Sequence, residues 1–567
     1  MPELADFTLV ASSGPGIATL AMPGWRNARV RILRAFSWDA KFRGFAIVTL
    51  PLDRPRTLVS GPYAAADAAA LNIDPAASFN FPADDGTDMT WYRAVGEPAT
   101  DDDRFQDAAG WCTIEADSDA GPVCMALALR ESSTVLLDLD LDAHGLHVSA
   151  RHSSSSGDAP TLFSRVGTGA HDTAEEWLRG LIVANMPEDR LGPPPLMADT
   201  WGFETDIGPD RVGQFMDVAA DLGLEIVTID KGWEEQVGDW VAHPSYAGGV
   251  AGLARAAHER GLRLGLWVAA GNASPESNTA REHPDWLAIW HGKRLLLSHR
   301  NHVVCLGHAP AAAAVLAQLD RLVRDGLDWL LHDFETIARC DAEHHTHDPA
   351  MGERAAASGW YRILAELRRS YPKLVIENCW NGGRPLDLAM IAHHDTTIGD
   401  DWCRSETNRT AKLGLGRYLP SSWASAYMGD EDLPVRSRLA PYLIGGPWII
   451  MGDLAGWDDA HRDTVRVGLD IARRWRTADR SARVIEAETD APLAGLATTA
   501  RADGSRLATF VVTPADVGRA VRWQTGSGEL CDEWTGLRRH VTAAEAKLGV
   551  LLDTSSATGL ALSIHPG

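Results

Sequence analysis

"GLDWLLHDFETIARC", Gly326–Cys340, begins as a short apolar run and breaks off at His-Asp-Phe-Glu. Ionised groups are costly to bury without partners. A segment that reads as buried through Leu331 and then presents His332, Asp333 and Glu335 is therefore either the start of a loop or a site at the end of a strand. The segment before it, "PAAAAVLAQLDRLVRDG" (Pro310–Gly326), sets Val315, Leu316, Leu319, Leu322 and Val323 on one helical face. A helix that feeds a short buried strand is the repeating unit of a parallel α/β fold.

The same unit recurs on both sides. "LMADTW" precedes "PDRVGQFMDVAADLG", where Val212, Phe215, Met216, Ala219 and Leu222 form a stripe and Gly223 is the stop. "EIVTID" and "RLGLWV" each lead into helix-like segments, and "KLVIEN", "DTTIGD", "GRYLPSS" and "PWIIMG" are the later strand candidates. With the opening stretch as the fourth strand, this predicts a (β/α)8 TIM barrel over 176–477. Before it, "RGFAIVTLPL", "GWCTIEA", "PVCMALAL", "STVLLDLDL" and "GLHVSARH" predict an N-terminal β-sandwich over 1–175, with solvated loops at Thr100–Arg104 and Ser153–Gly157. After it, "RVIEAE", "RLATFVVT", "AVRWQT", "GVLLDT" and "GLALSIH" predict a small C-terminal β-sandwich over 478–567.

Composition narrows the function classes. The 567 residues carry a formal charge of −24, which argues against a nucleic-acid or anionic-membrane surface. A neutral small molecule fits better. The start lacks a basic segment followed by an apolar core, and no run approaches the roughly 20 apolar residues of a spanning helix. Seven scattered cysteines with no Cys-x-x-Cys predict reduced thiols in a cytoplasmic protein. The 21 tryptophans lean towards carbohydrate, because indole faces stack on sugar C–H surfaces.

In a barrel, polar residues at the C-terminal strand ends point into the active-site mouth. Asp230, Asp333, Asn378 and Asp400 fall at such ends. Asp333 and Asp400 together suit glycoside cleavage. One carboxylate attacks the anomeric carbon, and the other protonates the leaving oxygen and later activates water. The alternative for each is a helix cap or a loop tether.

An ordered series of motifs in the middle of the chain resembles glycoside hydrolase family 36, the melibiase-type α-galactosidases. "TIDKGW" (Thr228–Trp233) is similar to the family's "LDDGW", and "GDW" (Gly238–Trp240) follows it. "GLRLGLWV" (Gly261–Val268), "EHPDW" (Glu282–Trp286) and "RNHVVCLG" (Arg300–Gly307) also resemble family segments. "DWLLHDFE" (Asp328–Glu335) is similar to "DYLKWDMN", which implies Asp333 as nucleophile. "ENCWNGGRPLD" (Glu377–Asp387) resembles another family motif, and "TTIGDDW" (Thr396–Trp402) is similar to "IWTSDNT", which implies Asp400 as acid/base with Asp401 as the fallback. The resemblance implies an exo-acting, retaining mechanism with no cofactor. Retention implies carboxyl groups about 5–5.5 Å apart. The implied partner is a small oligosaccharide or glycoside, and the resemblance leaves a homo-oligomer open.

The sugar contacts depart from the family pattern. Lys231 stands where the family has the second aspartate of "DDGW", and Leu331 stands where it has a sugar-holding lysine, with His332 alongside. Lys231 either compensates for the lost cation or points to solvent. The further implied substrate-binding residues are Asp230, Trp201, Trp267, Arg300, Cys379, Asn381, Asp401 and Trp402. "CDAEHHTHD" (Cys340–Asp348) gathers His344, His345 and His347 near Asp341 and Glu343, but the spacing is weakly diagnostic, so no metal is expected. A transferring enzyme resembling raffinose synthases and a silent sugar-binding protein are the other readings.

Overall fold

Eight parallel strands close into a barrel in the computed structural model, which describes residues 6–14, 16–37, 43–61, 104–105, 108–152, 158–290, 292–295, 301–334, 336–337, 339–383 and 385–566. They are β1 (Leu196–Asp199), β2 (Ile226–Ile229), β3 (Arg263–Val268), β4 (Trp329–His332), β5 (Val375–Asn378), β6 (Thr396–Ile398), β7 (Ala424–Met428) and β8 (Trp448–Ile450). Every residue of β1, β2, β4, β5, β6 and β8 is buried. Strands covered on both faces read as continuous apolar runs, not as alternation, and that is why "LDWLL" looks buried throughout.

Helices follow the strands. Pro209–Asp221 comes after β1, Ala309–Arg324 precedes β4, Gly352–Ser370 lies between β4 and β5, and Ser405–Leu415 comes after β6. The first buries Val212, Phe215, Met216 and Ala219, and Gly223 just beyond it adopts φ +71°. That left-handed turn is open to glycine and ends the helix as the sequence predicts.

The seventh strand is the exception. It is "ASAYM" (Ala424–Met428), whereas "GRYLPSS" lies in the turn after Ser405–Leu415. Gly416 caps that helix and Pro420 has no N–H to give a ladder, so the segment ends a helix instead of building a sheet. Small residues hid the true strand.

The chain groups into two compact units: Met1–Arg190, Lys231–Arg255 and Gly265–Asp395 in one, and Leu191–Asp230, Ala256–Leu264 and Thr396–Gly567 in the other. In the first, two six-stranded sheets share a core that includes Ile32, Ile114, Leu127, Leu139 and Val148. In the second, a six-stranded antiparallel sheet and a two-stranded ribbon (Arg522–Trp523 with Val550–Leu551) bury Phe510, Trp523, Val541 and Ile564. Of the loop expected at Thr100–Arg104, the residues before Arg104 lie outside the described residues and Arg104 itself begins the short strand Arg104–Phe105; the loop expected at Ser153–Gly157 lies outside them.

Candidate active site

In the first unit, Asp333 is the residue after β4, half-buried, and its N–H donates to Val268 O at 3.1 Å. Two residues of β3 thus fix both ends of it, because the indole Nε1–H of Trp267 donates to Asp333 Oδ2 at 3.0 Å. Trp267 is itself held edge-on by Trp240, with ring centres 6.0 Å apart, and by Phe334 at 5.1 Å. The buried Trp233 donates from Nε1 to Trp267 O at 2.9 Å, so it supports the site from the core side.

Lys231 belongs to the same group. It is half-buried, and its ammonium lies 5.7 Å from the centre of the Phe334 ring, beside the residue that follows Asp333. Its charge reaches Glu234, where it opposes the burial that pushes the Glu234 carboxyl above its usual range.

His332 has different surroundings from those the family motif implies. It is fully buried, its Nε2 pairs with the Thr336 hydroxyl at 2.5 Å, and its ring packs 4.3 Å from Trp360 and 5.7 Å from Trp380. Alternation along β4 explains this, since successive side chains point to opposite faces. Burial holds its imidazole well below the usual range, hence neutral. It positions the β4 end and makes no contact with solvent. Cys379 is buried just beyond β5, with its N–H donating to His332 O at 2.8 Å. Asn378 ties down the following loop through Gly383 O at 3.0 Å. Arg300 and the side chain of Asn381 lie outside the described residues.

In the second unit, Asp400 lies two residues beyond β6 and is fully buried. Its Oδ2 accepts from the Thr407 hydroxyl at 2.6 Å and its Oδ1 from the Trp402 N–H at 3.2 Å. Burial outweighs both bonds and pushes the carboxyl up to about 7. Asp401 and Trp402 are half-buried, and the Cys403 thiol donates to Asp401 O at 3.3 Å. The Cys403 thiol is raised by burial and then by the charges of Asp401, Asp400 and Asp199, so the ends of β1 and β6 converge there. Asp199, buried at the β1 end, accepts from the Trp201 N–H at 2.8 Å, and Trp201 is half-buried. Asp230 is buried beyond β2, and its N–H donates to the Thr200 hydroxyl at 2.9 Å.

Backbone strain marks the same loops. Among the described residues, non-glycine residues with positive φ are Asn27, Glu204, Trp240, Phe334 and Cys403. Four of them follow β1, β2, β4 and β6. Each such conformation costs on the order of 1–3 kcal/mol and persists only where the surroundings enforce it.

Sequence reasoning missed Thr407 and Asp199, and left Trp240 without a role at the end of its "GDW" motif. Asp199 sits at a strand end and could have been found by that rule; Thr407 lies on a helix and gives no local signal. The donors that come together are not the run His344, His345 and His347 with Asp341 and Glu343, for which no metal is expected from the sequence. Cys305, Cys340, His345 and His347 bring one ligand atom each within 4.8 Å of one another, while His344 is exposed.

Residues 160–430 match the Melibiase family model. The central stretch of the chain is thus similar to the melibiase family. Among curated relatives, the chain is 26% identical over 260 residues to Alpha-galactosidase 2 of Pediococcus pentosaceus, covering 44% of this chain and 36% of that one. It is 26% identical over 276 residues to Alpha-galactosidase Mel36A of Lactobacillus acidophilus, covering 46% and 37%. The alignment thus spans little more than a third of those relatives. Among solved structures, the galactosidase domain of AgaSK superposes with a TM-score of 0.75 at 15% identity, over 97% of this chain and 76% of that one. An AgaA variant from Geobacillus stearothermophilus, in complex with stachyose, gives 0.76 at 14% identity, over 97% and 76%. At such identities these likenesses establish the barrel with its flanking β-rich parts. Among the described residues, no helix is long and apolar enough to cross a membrane.

Proposed function

We propose that the chain is a glycoside hydrolase, an exo-acting retaining α-glycosidase, with Asp333 as nucleophile and Asp400 as acid/base. The observation that carries this reading is the contrast between two strand-end carboxyls. One accepts an indole N–H and is half-exposed, and the other is raised to about 7 by burial. A pair of carboxyls whose environments differ in this way can divide nucleophilic and acid roles at neutral pH.

In the first step the Asp333 carboxylate attacks the anomeric carbon while the Asp400 carboxyl gives its proton to the leaving oxygen. In the second, water attacks the glycosyl ester and returns its proton to Asp400. Asp400 is enclosed, so the glycosidic oxygen reaches it only after a local rearrangement around the carboxyl. The substrate is a small α-linked oligosaccharide or glycoside. The names of the relatives support an α-galactoside as the first to try, and Lys231 and Leu331 support an altered sugar preference.

A panel of aryl α-glycosides, assayed with the wild type, Asp333→Ala, Asp400→Asn and Asp401→Asn, tests the assignment. Release by wild type and its loss in the first two variants are expected. Activity lost in Asp401→Asn but kept in Asp400→Asn moves the acid by one residue. Proton NMR of the first-formed sugar reads the stereochemistry, and an inverted anomer overturns the retaining mechanism.

A further inference from the structure

The loop that follows Asp333 ends at Cys340, and Cys340 lies in a cluster that the hydrolytic mechanism does not use. Its Sγ stands 3.2 Å from His345 Nδ1, while Cys305 Sγ stands 3.3 Å from His347 Nε2. All four donor atoms lie within 4.8 Å of one another. Tetrahedral ligation by two sulfurs at about 2.3 Å and two nitrogens at about 2.1 Å places donor atoms about 3.4–3.8 Å apart, so small adjustments, outward for the two S–N pairs and inward for the wider ones, separate this cluster from a metal sphere. Cys305, Cys340 and His345 are buried and His347 is half-buried, in an apolar pocket that includes Ala288, Leu295, Val303 and Ala342.

The groups behind the donors point the same way. His345 Nε2 faces Asp285 O at 2.7 Å and His347 Nδ1 faces Asp348 O at 2.9 Å. A carbonyl can only accept, so in each ring the proton sits on the outer nitrogen and the inner nitrogen turns its lone pair towards the sulfurs. Metal-bound histidines are oriented in this manner. The backbone fits the sulfurs too. Ile289 N–H donates to Cys340 Sγ at 3.5 Å, and the His308 N–H donates to Cys305 O at 2.9 Å, holding the turn that carries Cys305. A Cβ at Gly307 would meet His347 Cδ2 at 2.8 Å, so glycine leaves room for the ring.

We propose that Cys305, Cys340, His345 and His347 bind a structural zinc ion that ties the loop after Asp333 to the segment Asp285–His308. Two thiolates and two neutral imidazoles are a soft, tetrahedral set suited to Zn2+. Four protein ligands leave no open position, which marks a structural ion and not a catalytic one. Binding must expel the two thiol protons, and the two thiolates then balance the charge of the ion. The proposal is independent of the glycosidase reading, since its readouts are metal content and spectra.

Tag-free full-length protein expressed with zinc should carry about one equivalent by elemental analysis. Cys340→Ser and His347→Ala should lose it and melt at lower temperature. Because these variants could fail to fold, a second measurement uses the wild type. After chelation, Co2+ should give tetrahedral visible bands with a thiolate-to-cobalt charge-transfer band, and Zn2+ should bleach both while shielding two thiols from a disulfide reagent. Full metal content in Cys340→Ser, no cobalt bands in the wild type, or a Cys305–Cys340 disulfide by mass spectrometry overturns the site.

Discussion

The indole N–H of Trp267 reaches Oδ2 of Asp333 at 3.0 Å, across neighbouring parallel strands in which Trp267 is paired with Leu331 and Val268 with His332. The register explains the bond. Trp267 lies two residues behind the level of Asp333, which is the span of an indole, and β3 and β4 hold both backbones.

A hydrogen bond to a charged group contributes about 1.5–3 kcal/mol, so Trp267→Phe should lower kcat/KM about ten- to hundredfold. Phenylalanine keeps an aromatic ring against Trp240 and Phe334, so the melting temperature should change far less than the rate. An unchanged kcat/KM on the best aryl glycoside would remove Trp267 from the catalytic machinery.

Asp400 should give the protein two pH signatures. Its carboxyl titrates near 7 when folded and near 3.8 when unfolded. Between those values the folded chain holds the extra proton, so this contribution to stability is complete below about pH 3.8 and is lost as pH rises to about 7. Denaturant midpoints of wild type should therefore fall relative to Asp400→Asn across that window. Asp387, also raised to about 7 by burial, is present in both proteins and cancels in the difference. The activity should fall above neutrality as the acid is lost. Thr407→Val removes a bond that lowers the Asp400 carboxyl, so the alkaline limb of kcat/KM should move to higher pH. A limb that stays in place contradicts Asp400 as the acid.

The sequence made the barrel legible because its strands are buried on both faces and its helices carry a striped face, as in Pro209–Asp221. It failed at β7, where Ala424, Ser425 and Ala426 have neither bulk nor branching to signal a strand. Strand ends were legible too, which is how Asp333 and Asp400 could be singled out. What holds them was not. Thr407 reaches Asp400 from a helix, and Trp240 reaches Trp267 from a loop. The Cys305–Cys340 pairing is set by the segment Trp286–Ile289, where Trp286 O accepts from the Cys305 N–H while Ile289 bonds Cys340 Sγ and the Asp341 N–H, which no local pattern encodes.

Lys231 places a cation over Phe334, next to the nucleophile candidate. If it contacts the sugar, Lys231→Ala should lower kcat/KM about tenfold, chiefly through KM, in keeping with the 1–2 kcal/mol of a partly desolvated cationic contact. Lys231→Arg should recover part of it. Identical kinetics in all three proteins would return Lys231 to a solvent role.

The last prediction concerns the frame that carries β5 and β6. Arg368, on the helix Gly352–Ser370, donates to Asp395 Oδ1 from Nη1 at 2.9 Å and Nη2 at 2.7 Å, while Asp395 Oδ2 accepts from the Ile376 N–H at 2.9 Å. One carboxylate thus links a helix, the middle of β5 and the residue before β6. Burial lowers the arginine and raises the aspartate from their usual ranges, so desolvation dominates on both sides and the pair survives by mutual satisfaction. Removing one partner leaves the other buried and unpaired, which costs about 3–5 kcal/mol. Arg368→Ala should therefore unfold at markedly lower denaturant. Arg368→Met combined with Asp395→Asn, which removes both charges and keeps the amide acceptor for Ile376, should be less destabilised than Arg368→Ala alone. If the single variant is as stable as wild type, the pair is not structural.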